Sequence, residues 1–176
     1  MTVERDFLET SARRMREAHE RIQACLAKLT DEQLWFRTGD NANACGNLCL
    51  HLTGNVRQWI LHGVGGQPDV RHRDAEFAAQ GGVSRDELTA RLRSTVEEAA
   101  TLIESLPDAS LTEIRHPQNR TVTVLEAIYH VVEHFALHAG QIIFLTKAVT
   151  GEDLGFFASL KGAGKSSAPP VTPGRS

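Results

Sequence analysis

The sequence predicts an all-α protein, a four-helix bundle, on three observations. Apolar residues recur at steps of three and four in four long stretches. Helix-capping spacings stand ahead of most of those stretches. No segment alternates strongly enough to read as a convincing strand, and two long connections separate the helical stretches.

The first helix reads from about residue 3 to 29, with Leu8, Met15, Ala18, Ile22, Cys25 and Leu29 on its apolar stripe and His19 on its polar side. Thr30-Asp31-Glu32-Gln33 has the spacing of a capping box and introduces a short turn, Leu34-Trp35-Phe36. Asn43 is the expected N-cap of a second helix over roughly 44–62, striped by Leu48, Leu52, Val56 and Trp59. Glycines and Pro68 then mark a long loop, about 63–83, in which Arg71-His72-Arg73-Asp74-Ala75-Glu76-Phe77 reads as too charged for a core. A loop of that length is commonly functional or a cover over something. Ser84 and Glu87 open a third helix, about 85–106, buried along Leu88, Leu92, Val96, Ala99, Ile103 and Leu106 and stopped by Pro107. Residues 108–122 form a connection with room for a short extended piece. Thr123 and Glu126 cap a fourth helix that runs to about Ala148, and Leu154, Phe156 and Phe157 can pack back beyond Gly151. Residues 1–160 read as one domain, and the Gly, Ser and Pro content of 161–176 reads as a flexible tail.

Composition narrows the function classes. A chain of 176 residues suits one domain, and its formal net charge of −3 gives no electrostatic footprint for nucleic acid or anionic lipid. No apolar run approaches the roughly 18–20 residues of a membrane span, and the charged N-terminus lacks a signal core. The expectation is a cytoplasmic protein with neither a membrane nor a nucleic-acid partner. Cys25, Cys45 and Cys49 show no ligand spacing and read as reduced thiols filling packing space; the sharper alternative has Cys45 or Cys49 lining a site.

The eight histidines carry more information. His19, His62, His72 and His116 read as surface residues. His51 lies mid-helix in a polar row with Asn47, Asn55 and Gln58, at spacings that share one face. On the fourth helix His130, His134 and His138 recur every four residues, with Gln141 following. Two imidazoles a turn apart can converge on one ion. Three cannot easily do so, because the outer two stand about 12 Å apart along the axis, against metal–nitrogen bonds of about 2.0–2.1 Å. One helix therefore supplies a pair, and His51 is the natural third ligand. There is no His-Glu-x-x-His, so zincin-type protease chemistry has no support.

Three segments together are more specific: Asn47 to Ile60 (NLCLHLTGNVRQWI), Arg71 to Phe77 (RHRDAEF) and His130 to Ile142 (HVVEHFALHAGQI). They resemble the DinB/YfiT-like superfamily, in a branch of uncharacterised function, over residues 5–158. The resemblance implies an up-down-down-up four-helix bundle, usually a homodimer. It implies a divalent transition metal, often nickel or zinc, held by His51, His134 and His138, with His130 in the pocket or behind the ligands. Ala139 stands where many relatives have Arg, so that side chain's role has no counterpart here.

Superfamily members include enzymes that use low-molecular-weight thiols and proteins described as metal-dependent hydrolases, so the resemblance implies a metal-dependent enzyme acting on a small molecule. A low-molecular-weight-thiol S-transferase is the first expectation. A metal-dependent hydrolase, with Glu133 or His130 as general base, is the second. A non-catalytic metal-binding or stress-related interaction module is the third. Arg57, Arg71 and Arg73 could receive an anionic substrate group, or serve as solvated charge or ion-pair partners of Asp74 or Glu76. Asn47, Asn55 and Gln141 could orient ligands from behind, the two asparagines alternatively joining helices by hydrogen bonds. Trp59 reads as core, with a pocket wall as the alternative.

Overall fold

The computed structural model describes residues 2–156 and Ala158. The expected tail, 161–176, and Phe157 lie outside the described residues. The four periodic stretches are helices: α1 (Val3–Leu26), α3 (Cys45–Val56), α5 (Arg85–Ser105) and α6 (Val124–Thr150). Two short helices, α2 (Asp31–Leu34) and α4 (Arg73–Ala78), lie in the connections. α1 packs on both α5 and α6, and α3 packs on the same two, so the four long helices form a bundle with α1 and α3 at opposite corners. Their apolar stripes meet in one core that includes Leu8, Ile22, Leu52, Leu92, Val131 and Phe135. No helix among the described residues is long and apolar enough to cross a membrane.

The caps place the helix starts. Thr2 accepts from Arg5 N–H (3.1 Å), Ser84 from Glu87 N–H (3.3 Å), and Thr30 and Thr123 each complete a reciprocal box. At the opposite end α6 stops at Gly151, whose φ of +71° is the left-handed conformation that a β-carbon disfavours. Arg5 also donates to the carbonyls of Glu104 (2.8 Å) and Leu106 (2.7 Å), so the start of α1 satisfies the end of α5.

Four expectations need correction. Helix two begins at Cys45 with Ala44, not Asn43, as N-cap. The Asn47 amide oxygen at N3 accepts from the N-cap's own N–H, Ala44, at 3.1 Å, so the start of the helix is satisfied from inside it and not by an Asn43 side chain. That helix is also not α-helical throughout: its α part ends at Val56. It continues as a π-helical segment, Arg57–Val64, against the 3₁₀ turn Pro117–Asn119. The 108–122 connection does hold its extended piece, β1 (Ile114–Arg115) paired antiparallel with β2 (Val122–Thr123).

His19 is buried, not on a polar surface. Because α1 packs on two helices, its apolar seam runs Leu8, Ala12, Met15, His19, Ile22, Leu26, and His19 falls on that seam. Burial pushes its pKa down, and Nε2 has no hydrogen-bond partner among the described residues. Lastly, the 63–83 stretch is not all solvated loop. It contains α4, and Glu76 and the Arg71 side chain are buried because they pair with each other.

The cysteines are free and buried. Burial pushes the Cys45 thiol up to about 12 and raises Cys25 and Cys49 as well, so all three stay protonated and none has the depressed pKa of a reactive thiol.

Candidate metal centre

α3 and α6 are neighbours in the bundle, and their polar rows face each other. Core residues Val131, Phe135, Ala139 and Ile142 fix the rotation of α6, which leaves His130, His134 and His138 half-buried beside that stripe. Leu48, Leu52 and Val56 do the same for α3 and carry His51 inward to 5% exposure.

Three of these rings converge. His51, His134 and His138 each offer one nitrogen, and the three nitrogens lie within 4.8 Å of one another. Ring centroids stand 5.0 Å apart for His51–His134, 5.0 Å for His51–His138 and 4.4 Å for His134–His138. The Nε2 atoms of His51 and His134 approach to 2.9 Å. Donors at about 2.0–2.1 Å from one ion stand about 3.0 Å apart at a right angle and about 3.4 Å apart at a tetrahedral angle. The His51–His134 approach matches such an edge, and the three side chains form a group that could hold a divalent ion.

The hydrogen bonds behind the rings direct the free lone pairs inward. His51 Nδ1 lies 3.0 Å from Glu76 Oε2. A carboxylate only accepts, so in the neutral ring Nδ1 carries the proton and Nε2 is left free. Arg71 Nη2 stands 3.1 Å from the same Nδ1, but its acceptor is Glu76 Oε2 at 2.8 Å. His138 Nδ1 likewise faces Gln141 Oε1 at 2.6 Å, so that carbonyl oxygen accepts and Nε2 is free. Burial and the neighbouring His138 and His51 push His134 down to about 3, and burial lowers His138 against the opposing pull of Gln141. Rings kept uncharged retain the lone pair that an ion needs.

His130 stands outside the converging group. Its ring packs 4.1 Å from Trp59 and stacks 5.5 Å from His134, at 20° between planes. Burial lowers its pKa. Trp59 is 3% exposed, and its indole N–H donates to Gln118 Oε1 at 3.0 Å. Glu133 is exposed on α6, and Glu126 is engaged in the Thr123 cap.

The other expected residues divide. Asn47 joins α3 to the α4 segment, donating to the carbonyls of Glu76 (2.9 Å) and Ala79 (2.7 Å). Asn55 is buried, and its Oδ1 has no hydrogen-bond partner among the described residues. Arg71 spends its guanidinium on Glu76 and Gln58. Arg73 lies over the Phe77 ring at 4.9 Å. Arg57 lines a small cavity of about 160 Å³ with Arg71, His72 and Arg91, and its guanidinium makes no hydrogen bond or ion pair to the described residues. Glu76 is expected from the sequence only as an ion-pair partner of the arginines; its contact with His51, between α3 and a run that reads as loop, is what sequence reasoning missed.

Residues 2–162 match the family described as "Protein of unknown function (DUF1572)". The chain belongs to that family. DUF1572 is a DinB-like family, and the solved structures agree on the fold. A crystal structure of a conserved protein from Enterococcus faecalis superposes with a TM-score of 0.69 at 17% identity, over 86% of this chain and 99% of that one. A DinB-like protein from Bacillus cereus superposes with a TM-score of 0.60 at 20% identity, over 74% of this chain and 85% of that one. At these identities the likeness shows the fold alone. A comparison with curated proteins returned no match. For this DUF1572 chain, the reading of chemistry therefore rests on its own histidines.

Proposed function

We propose that this protein is a metal-dependent enzyme that holds one divalent transition metal ion, nickel or zinc, on His51, His134 and His138 and acts on a small molecule, with a low-molecular-weight thiol as co-substrate. The observation that carries this reading is the convergence of three imidazoles within 4.8 Å with no fourth protein ligand grouped with them among the described residues. A structural zinc site is usually closed by four protein ligands, whereas three leave a position open for reactants. Imidazole donors suit both metals. When bound, such an ion lowers the pKa of a thiol or water in its open position.

The chain's own residues would do the rest. Glu76 and Gln141 hold His51 and His138 with their free nitrogens toward the ion. Trp59 and His130 back the His134 ring. A groove of about 600 Å³ reaches Gln141 and is lined by Leu48, Leu137, Phe144, Leu145, Asn41 and Asn43, a size usual for small-molecule sites. Of Arg57, Arg71 and Arg73, Arg57 is the one whose guanidinium has no partner among the described residues, and it is the candidate to receive an anionic group. Leu125, Tyr129, Leu137 and Phe144 are exposed on α6, and this outward apolar surface supports the homodimer that the family resemblance implies.

The test incubates full-length protein with nickel or zinc, a panel of biological thiols and the electrophile monochlorobimane. Conjugation above a His51→Ala control, dependent on both metal and thiol, is the expected result. Hydrolysis of ester or amide substrates without added thiol would replace this reading with a hydrolase. Metal binding with no turnover in either assay would replace it with the non-catalytic module.

A further inference from the structure

A buried set of polar groups surrounds one carboxylate beside the histidines. Arg71 grips Glu76 with a two-pronged fork, Nε to Oε1 and Nη2 to Oε2, both 2.8 Å. Gln58 Oε1 accepts from the Arg71 Nη1 that remains, at 3.0 Å. Asn47 holds the Glu76 carbonyl from α3. Gly54 completes the arrangement. A β-carbon there would come 1.9 Å from Glu76 Oε1, so only glycine lets the carboxylate lie against α3. Stability does not account for this. A buried ion pair seldom contributes more than well-packed apolar side chains of the same volume. What the arrangement delivers is a charged oxygen, Oε2, at 3.0 Å from His51 Nδ1.

The three rings are not supported alike. His138 leans on a neutral amide, Gln141, which is exposed. His51 leans on a buried carboxylate. A carboxylate on the far nitrogen fixes the tautomer and raises the basicity of the near one more than an amide can.

We infer that Glu76 is the principal positioning residue of the histidine site: held by Arg71 and admitted by Gly54, it fixes the Nδ1–H tautomer of His51 and strengthens Nε2 as a donor. The inference rests on the metal-site reading above, and it has a readout that does not need metal.

Two measurements on tag-free full-length protein test it. The first is zinc affinity by competition with a fluorescent chelator. Glu76→Gln, which keeps the size but removes the charge and replaces one accepting oxygen with a donating amide, is expected to weaken zinc about tenfold to a hundredfold, and Gln141→Ala by less. The second is the His51 ring tautomer in metal-free, ¹⁵N-histidine-labelled protein. Wild type should show Nδ1–H, and Gly54→Ala, which displaces the carboxylate without touching His51, should show a mixture. Circular dichroism confirms that each variant is folded. Zinc affinity of Glu76→Gln within twofold of wild type would overturn the inference. If wild type binds no metal, the functional reading fails and the tautomer decides alone. Nδ1–H lost in Gly54→Ala would then support the role of Glu76, and an unchanged His51 would overturn it.

Discussion

His134→Ala is expected to lower the affinity for nickel or zinc by well over a hundredfold, beyond the roughly tenfold to hundredfold loss typical of removing a group behind a ligand. His134 is the middle of the set. Its Nε2 stands 2.9 Å from that of His51, and its ring lies 4.4 Å from His138. His51→Ala and His138→Ala should behave similarly. His130→Ala should not, because its ring stacks behind His134 and lies outside the converging group. Its loss should stay within about tenfold, the lower end of the range for outer groups. Competition against a fluorescent chelator measures all four, with circular dichroism of the metal-free proteins as the folding control. Equal losses in His130→Ala and His138→Ala would contradict the choice of pair.

Phe135→Ala is expected to destabilise the metal-free protein by about 3–5 kcal/mol. Phe135 heads the fully buried side chains by volume, is 1% exposed, and follows His134 directly on α6. Truncation loses the transfer energy of the ring and leaves a cavity that the surrounding core helices can only partly close. The same ring helps hold α6 at the rotation that presents His134 and His138 to α3, so the variant tests the fold beneath the site. Urea or guanidinium denaturation monitored by helicity gives the value. A loss below about 1 kcal/mol would place the side chain outside a close-packed core.

The helices were legible in the sequence because period and caps agree. The Thr30, Ser84 and Thr123 caps and the α5 stripe lie where the pattern predicts them. The convergence of His51 with a pair from the fourth helix was legible too, since a four-residue step and a polar row on a second helix leave few arrangements. What escaped depended on tertiary partners. A histidine on the α1 seam looks polar until two packed helices are seen to widen that seam. A run such as Arg71 to Phe77 looks too charged for a core until its Arg71–Glu76 pair is seen buried against α3. A glycine such as Gly54 looks incidental until a carboxylate is seen lying against it. The π-helical continuation after Val56 leaves no simple signal in the apolar period of its helix.

Elemental analysis of full-length protein purified without a His tag tests the central claim most directly. The account predicts about one equivalent of a single transition metal per chain in wild type and none in His51→Ala. Metal-free wild-type protein that keeps its full helicity and takes up neither nickel nor zinc on addition would contradict it.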